Sequence, residues 1–313
     1  MQWKKHRKEE NIMMNRSTFN ETIKSLVEAR LGDSYIVELQ TVTKVNVTLT
    51  ALVVRKASST IGVTLYIDSL YEEYRTTGEE VSYLASKLLS HYHSEIVETS
   101  LSVSDLDVLK DKRSVFHRIF YKVINRDKNE ELLKNIPYIE AVENSDLVLI
   151  FCILVDECKD MSATVTITNH LMRHFNFSLS ELVSVAKENT PKLFPASFRS
   201  MSEVMATLLP IFPAPDEPND FMWVLSNTRS VNGAGAMYYE HMLEDIAGRL
   251  NGNFFVLPSS LHEVIIVKDD NGVDTSFLRE MVKEVNQTSV EEEDFLSDTV
   301  FYYNTASHTL SIA

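Results

Sequence analysis

Two stretches of this chain, 100 residues apart, follow one pattern. Thr64-Leu65-Tyr66-Ile67 runs into a short segment carrying Leu70 and Tyr74, and Thr164-Val165-Thr166-Ile167 runs into one carrying Leu171 and Phe175. In each case an apolar run of strand length comes before, and a longer amphipathic helix follows. A third, looser copy is read at 221–250, beside those at 46–92 and 146–189. The pattern predicts an α+β protein built from three related ββα units, with mixed, mainly antiparallel sheets. Val45, Val47, Leu49 and Ala51 alternate with Asn46, Thr48 and Thr50, so one sheet face is buried and helices are expected to pack there.

Local signals divide the chain further. A basic, flexible extension is expected over 1–16, then a first α-β-β-α unit over 17–98. Its opening helix carries Phe19, Ile23, Leu26, Val27 and Leu31 on one stripe and stops at Gly32. A helical connector and a second ββα unit are expected over 99–209. Within it, Val115, Phe116, Ile119, Phe120, Val123 and Ile124 fit a helix over 104–135, with Arg113, His117, Arg118, Lys122 and Arg126 on its outer face. Pro191 is read as ending the helix that starts at 178, and a short helix is expected over 198–209. Pro210, Pro213, Pro215 and Pro218 mark a stiff linker over 210–220. The third ββα unit, 221–313, is expected to open on a hairpin around Asn232-Gly233 and to close on another.

Composition narrows the function classes. The 313 residues carry a net charge of −15, which opposes direct nucleic-acid binding because phosphate recognition needs a cationic footprint. No run approaches the roughly 18 apolar residues of a membrane span, so no membrane association is expected. A cytoplasmic protein with a protein partner is the reading that remains. The two cysteines, Cys152 in an apolar run and Cys158 in the next turn, match no zinc or redox spacing. No metal and no cofactor are expected.

One loop concentrates chemistry. Pro258-Ser259-Ser260-Leu261-His262-Glu263 joins two predicted strands and gathers hydroxyls, an imidazole and a carboxylate. Ser260 as nucleophile and His262 as base would suit a hydrolase, with Glu263 beside them. Residues two apart on a strand lie about 6–7 Å apart. A nucleophile and its base need about 2.6–3.2 Å, so only an irregular loop brings them together. The bland alternative has Ser259 and Ser260 satisfying turn backbone while His262 and Glu263 order the loop. A metal reading would add His241 or His308 to His262 and Glu263. His91 and His93, two apart on a helix, diverge too far to chelate. Asn232-Gly233-Ala234-Gly235-Ala236 has a Gly-x-Gly but lacks the remainder of a phosphate loop. Tyr66, Tyr71, Tyr74, Tyr83 and Tyr92, with Glu72 and Glu73, form either an aromatic, acidic binding surface or a set of half-buried rings.

Four segments together resemble the uncharacterised domain-of-unknown-function 5688 family. They are Tyr66-Ile67-Asp68-Ser69-Leu70-Tyr71-Glu72-Glu73-Tyr74, residues 182–191 with Ala186, Asn189 and Thr190, Val224-Leu225-Ser226-Asn227 with Gly233-Ala234, and Leu257-Pro258-Ser259-Ser260-Leu261-His262-Glu263-Val264. Ser58-Ser59-Thr60 stands where the family usually shows a proline. The resemblance implies a shared fold and a bacterial origin. It supplies no activity, and no catalytic residue carries over. Asn227, Ser259, Ser260, His262 and Glu263 are read as the candidate binding residues.

Three functions therefore compete. The first is a non-catalytic protein-interaction module. The second is an enzyme using the 258–263 loop. The third is an acidic mimic of nucleic acid that counters a host defence.

Overall fold

The computed structural model describes residues 13–59, 62–98, 109–157, 162–208, 221–270 and 272–313. Residues 1–12 of the extension predicted over 1–16, Cys158 and the Pro-rich stretch 210–220 lie outside these residues, whereas Asn15 and Arg16 of that extension cap and open the first helix. Two compact units divide the chain, 1–101 and 102–313.

In the first unit, α1 (Arg16–Leu31) starts at Asn15, whose side-chain oxygen accepts the Thr18 N–H at 2.9 Å. Such a cap satisfies one of the amides a helix leaves open at its start. Phe19, Ile23 and Val27 form the buried stripe. Strands β1 (Tyr35–Thr43), β2 (Thr48–Lys56) and β3 (Gly62–Tyr66) pair antiparallel in that order. Two helices follow, α2 (Asp68–Thr77) and α3 (Val81–Glu98). Val37, Leu52, Val54 and Leu65 share one sheet face and join Phe19, Ile23, Leu84 and Leu88 in one core, so the helices cover that face. Each such large side chain, fully buried, contributes about 1.5–3 kcal/mol. Tyr71 and Tyr74 pack on the Phe19 ring at 5.3 and 5.2 Å, and Tyr92 is buried in the same core. Tyr83 alone of the five tyrosines is largely exposed, so they make no continuous aromatic surface.

The second unit begins with α4 (Lys112–Phe116), β4 (Ile119–Asn125), α5 (Glu130–Leu133) and β5 (Tyr138–Glu140). Next come β6 (Leu147–Glu157), β7 (Ser162–Thr166), α6 (Asn169–His174) and α7 (Leu179–Leu193). Strand β6 pairs with β4, β5 and β7. The order strand-strand-helix-helix thus stands at both 48–98 and 147–193.

Then follow β8 (Ala196–Ser200), α8 (Met201–Leu208), β9 (Met222–Asn227), α9 (Met242–Leu250), β10 (Phe254–Leu257), β11 (Val264–Lys268), α10 (Thr275–Thr288), β12 (Phe301–Asn304) and β13 (Thr309–Ile312). Six of them form a sheet in the order β13-β12-β10-β11-β9-β8. Strand β8 precedes the Pro-rich stretch and β9 follows it, yet the two pair directly. Helix α10 lays Leu278 and Val282 on Phe255, Leu257 and Val267 of this sheet. Every strand pairing among the described residues is antiparallel, so the predicted mixed character is absent from them.

Four local readings need correction. Residues 119–125 are a strand, not part of a helix over 104–135. The strand is buried on both faces, where alternation vanishes, and an apolar run then fits a helical stripe equally well. Its β-branched and aromatic residues favour the strand. The expected basic helix face dissolves with it: Arg118 instead donates to the Val155 carbonyl at 3.0 Å. Residues Gly233–Tyr238 form a buried 3-10 helix rather than the second strand of a hairpin, so 221–250 is not a ββα copy. Strand β9 pairs with β11 and β8 instead. Pro191 sits inside α7, in its last turn, where one lost backbone bond leaves the helix intact to Leu193. Residues 198–200 belong to β8 rather than to the helix that follows. No helix among the described residues is long and apolar enough to cross a membrane.

Candidate functional site

The loop 258–263 leaves β10 and returns as β11, and its geometry is irregular. Ser260 is only 6% exposed. Its hydroxyl donates to the Glu263 carboxylate at 3.0 Å and accepts the His262 backbone N–H at 3.0 Å. Its own N–H reaches the Glu263 carbonyl at 3.2 Å. Ser259 closes a tight turn, its N–H on the Leu257 carbonyl at 3.0 Å.

The His262 ring is held on both sides. Nδ1 accepts the Asn232 backbone N–H at 3.2 Å, so the ring proton sits on Nε2. Nε2 donates to Asp294 Oδ1 at 2.9 Å. The His262 carbonyl accepts the Ser226 hydroxyl at 2.6 Å. Asn227, buried, folds its own loop: Nδ2 donates to the Val231 carbonyl at 2.8 Å and Oδ1 accepts the Arg229 N–H at 2.9 Å. Gly233 seals the cluster. A Cβ there would stand 2.1 Å from Ser226 Oγ, 2.4 Å from the His262 carbonyl oxygen and 2.7 Å from the Asn227 nitrogen. No side chain fits that approach.

All five sequence-predicted site residues, Asn227, Ser259, Ser260, His262 and Glu263, therefore meet in one region. What they form is a knot of satisfied bonds. Ser260 and the His262 ring are not bonded to each other: the serine hydroxyl is spent on Glu263, and the acceptor nitrogen of the ring is spent on a backbone amide. Nucleophilic catalysis needs those two groups paired. Two amides of the 232–236 segment are used in the same knot, Asn232 N–H on His262 Nδ1 and Ala234 N–H on the Leu261 carbonyl, each at 3.2 Å, so neither is turned to a phosphate. The histidines considered as extra metal ligands stand elsewhere. His241 and His308 both face Glu244, at 3.0 and 3.5 Å. Among the described residues no group of three His, Cys, Asp or Glu side chains is placed to hold a metal ion.

A second polar cluster escaped the sequence reading. Asp146, just before β6, receives Asn125 Nδ2 at 2.8 Å and lies within 2.8 and 2.7 Å of the Ser297 hydroxyl through its two oxygens. Burial pushes its carboxyl above the usual carboxylate range, against the hydrogen bonds from Ser297 and Asn125 that pull it down. Asn125 Nδ2 also reaches the Leu296 carbonyl at 2.9 Å, and Asn286 Nδ2 the Ser297 carbonyl at 2.9 Å. These bonds fasten the strap 294–298, which also carries Asp294 to His262. The Tyr238 hydroxyl is buried without a hydrogen-bond partner among the described residues. Burial and the charge of Asp146 push it upward. In the sequence Asp146 only marked the start of an apolar run. Nothing there pairs it with Ser297, 151 residues on. Cys152 is fully buried, and desolvation raises its thiol, as befits a small core residue.

No curated protein and no solved structure matches the chain. A family model does, over residues 16–305, and that span takes in both units and every residue of the knot. The chain belongs to the DUF5688 family, a family of unknown function.

Proposed function

We propose that this protein is a cytoplasmic, non-catalytic module that binds another protein. The observation that carries the reading is on α10. One face of this helix packs into the core through Leu278 and Val282, while Phe277, 62% exposed, and Val285, 39% exposed, stand toward solvent with half-buried Met281 between them along the helix. Spacing of four residues keeps the three on one stripe. Apolar area left wet in this way gains about 25 cal/mol per Å² when a partner covers it. The enzyme alternative on Ser260, His262 and Glu263 draws no such support, because those groups satisfy one another. The acidic-mimic alternative is no better served: in the run 291–294, Asp294 is engaged with His262 and Glu292 with Lys128 at 3.7 Å.

The test is capture of partners from the native host with the full chain as bait. A protein that co-purifies with the wild type and is lost with Phe277→Glu and Val285→Glu, both folded, supports the module. No co-purifying protein, or one indifferent to both changes, rejects it.

A further inference from the structure

A cleft of about 400 Å³ opens where α9 meets the β12–β13 turn, lined by Glu244, Gly248, Asn251, Gly252, Tyr303, Thr305 and His308. Its floor is glycine. A Cβ at Gly248 or Gly252 would meet nothing within 4 Å, so the space above them is open. Tyr303 is 3% exposed, its ring stacked on Phe254 at 5.0 Å. Its hydroxyl, near enough to feel the charge of Glu244, receives no hydrogen bond from any described residue. The ring is buried while its hydroxyl opens onto the cleft, where it can accept a hydrogen bond from a ligand.

The lining chooses the ligand. Glu244 offers chiefly Oε1, because Oε2 is held by His241 Nδ1 at 3.0 Å. Thr305 has given its hydroxyl proton to Asn253 Oδ1 at 2.7 Å, so it offers only lone pairs. Tyr303 offers its phenol oxygen. An ammonium has three donors and no acceptor, which complements such a set, whereas an anion would face the Glu244 carboxylate. We propose that the cleft between α9 and the β12–β13 turn binds a primary ammonium group, with Glu244 as its counter-ion and Tyr303 and Thr305 as acceptors. The ammonium belongs either to a free polyamine or to a lysine side chain. The site is separate from the apolar stripe of α10, and its test is independent of partner capture.

The titratable groups facing Glu244 are His241, at the N-cap of α9, and Tyr303 and His308 from the hairpin, while Glu240 and Asp245 lie near His241. Glu244, through its hydrogen bond and then its charge, holds the His241 imidazole above its ordinary range. Protonated His241 therefore competes for Glu244 at low pH, and ammonium binding should tighten as the pH rises and the imidazolium is lost.

Calorimetric titration of the full chain with spermidine and with Nα-acetyl-lysine methylamide, at pH 5.5 and pH 8, tests the site. Saturable binding of either amine at pH 8 is expected, weaker at pH 5.5, and reduced about tenfold or more by Glu244→Gln, as for loss of a charged hydrogen bond. Tyr303→Phe, which keeps the stacked ring, should weaken it several-fold. Binding of spermidine alone identifies a free polyamine as the ligand, and binding of the lysine derivative alone identifies a peptide side chain. Absence of saturable binding by both amines at pH 8, binding untouched by Glu244→Gln, or preferential binding of succinate overturns the proposal.

Discussion

The knot around His262 and the cleft around Glu244 hold the same kinds of residue and use them in opposite ways. Around His262, imidazole, hydroxyl, amide and carboxylate close on one another, and a glycine without room for a Cβ locks the cluster. Around Glu244, two histidines lean on one carboxylate from the surface, two glycines leave open space, and a tyrosine hydroxyl has no described partner. Residue type alone does not separate a structural cluster from a binding site. What separates them is how much hydrogen-bonding capacity remains unspent.

The sharpest way to break that contrast is Gly233→Ala. The added methyl collides with backbone at His262 and Asn227, which cannot swing aside as a side-chain tip can. Denaturant unfolding should show a loss above about 3 kcal/mol, in the range where a strained backbone position fails. Gly248→Ala, in the cleft, meets nothing and sits in a helix, so it should gain a few tenths to about 1 kcal/mol. Equal effects at the two glycines would erase the distinction.

His262→Ala comes next. It strands the Asn232 N–H and the Asp294 carboxylate, each losing its ring partner. The ring is 32% exposed, so water recovers part of the loss. A fall of about 1–3 kcal/mol is expected from the same unfolding curves. A change under about 0.5 kcal/mol would mean the knot holds without its imidazole, and a role for His262 beyond the fold would regain standing.

The strap that carries Asp294 also rests on Asp146, and this contact has a pH signature. A carboxyl whose folded value is raised binds its proton more readily in the native state than in the unfolded chain. Stability is then lost as pH rises from the ordinary value of 3.8 up through the higher folded value. Asp146→Asn removes that slope while leaving an acceptor for Ser297. The wild type should lose ground to the variant as pH is raised across this window, measured by chemical denaturation at a series of pH values. Parallel curves would show that Ser297 and Asn125 fully offset the burial.

Much of this was legible beforehand. The α1 stripe, the β2–β3 and β6–β7 hairpins, α10 and the closing hairpin rest on local periodicity, and each stands within a few residues of where the sequence put it. The two largest failures have different causes. Strand β4 is buried on both faces, so its period was lost, and the 3-10 turn at 233–238 is fixed by contacts with residues 226 and 262 rather than by its own propensity. The knot residues were visible because five of them crowd one loop and one strand end. Asp146 with Ser297, and Glu244 with Tyr303 and His308, were not visible, since each set is assembled from distant segments that no short motif joins.

The smallest expected effect bears most directly on the cleft. His308 stands at φ 54 and His241 at φ 61, left-handed conformations that cost a non-glycine residue about 1 kcal/mol. His308 is 65% exposed and its contact with Glu244 is 3.5 Å, so little in the fold repays that strain. His308→Gly should therefore raise stability by about 0.5–1 kcal/mol, read as a shift of the thermal midpoint with the unfolding slope unchanged. Strain kept without a structural return is the mark of a residue held for something other than the fold. Stability rising at position 308 and falling at position 262 would set the two histidines on opposite sides of that divide. A fall at both would make His308 a structural residue as well, and the cleft would then keep Glu244 and Tyr303 as its only arguments.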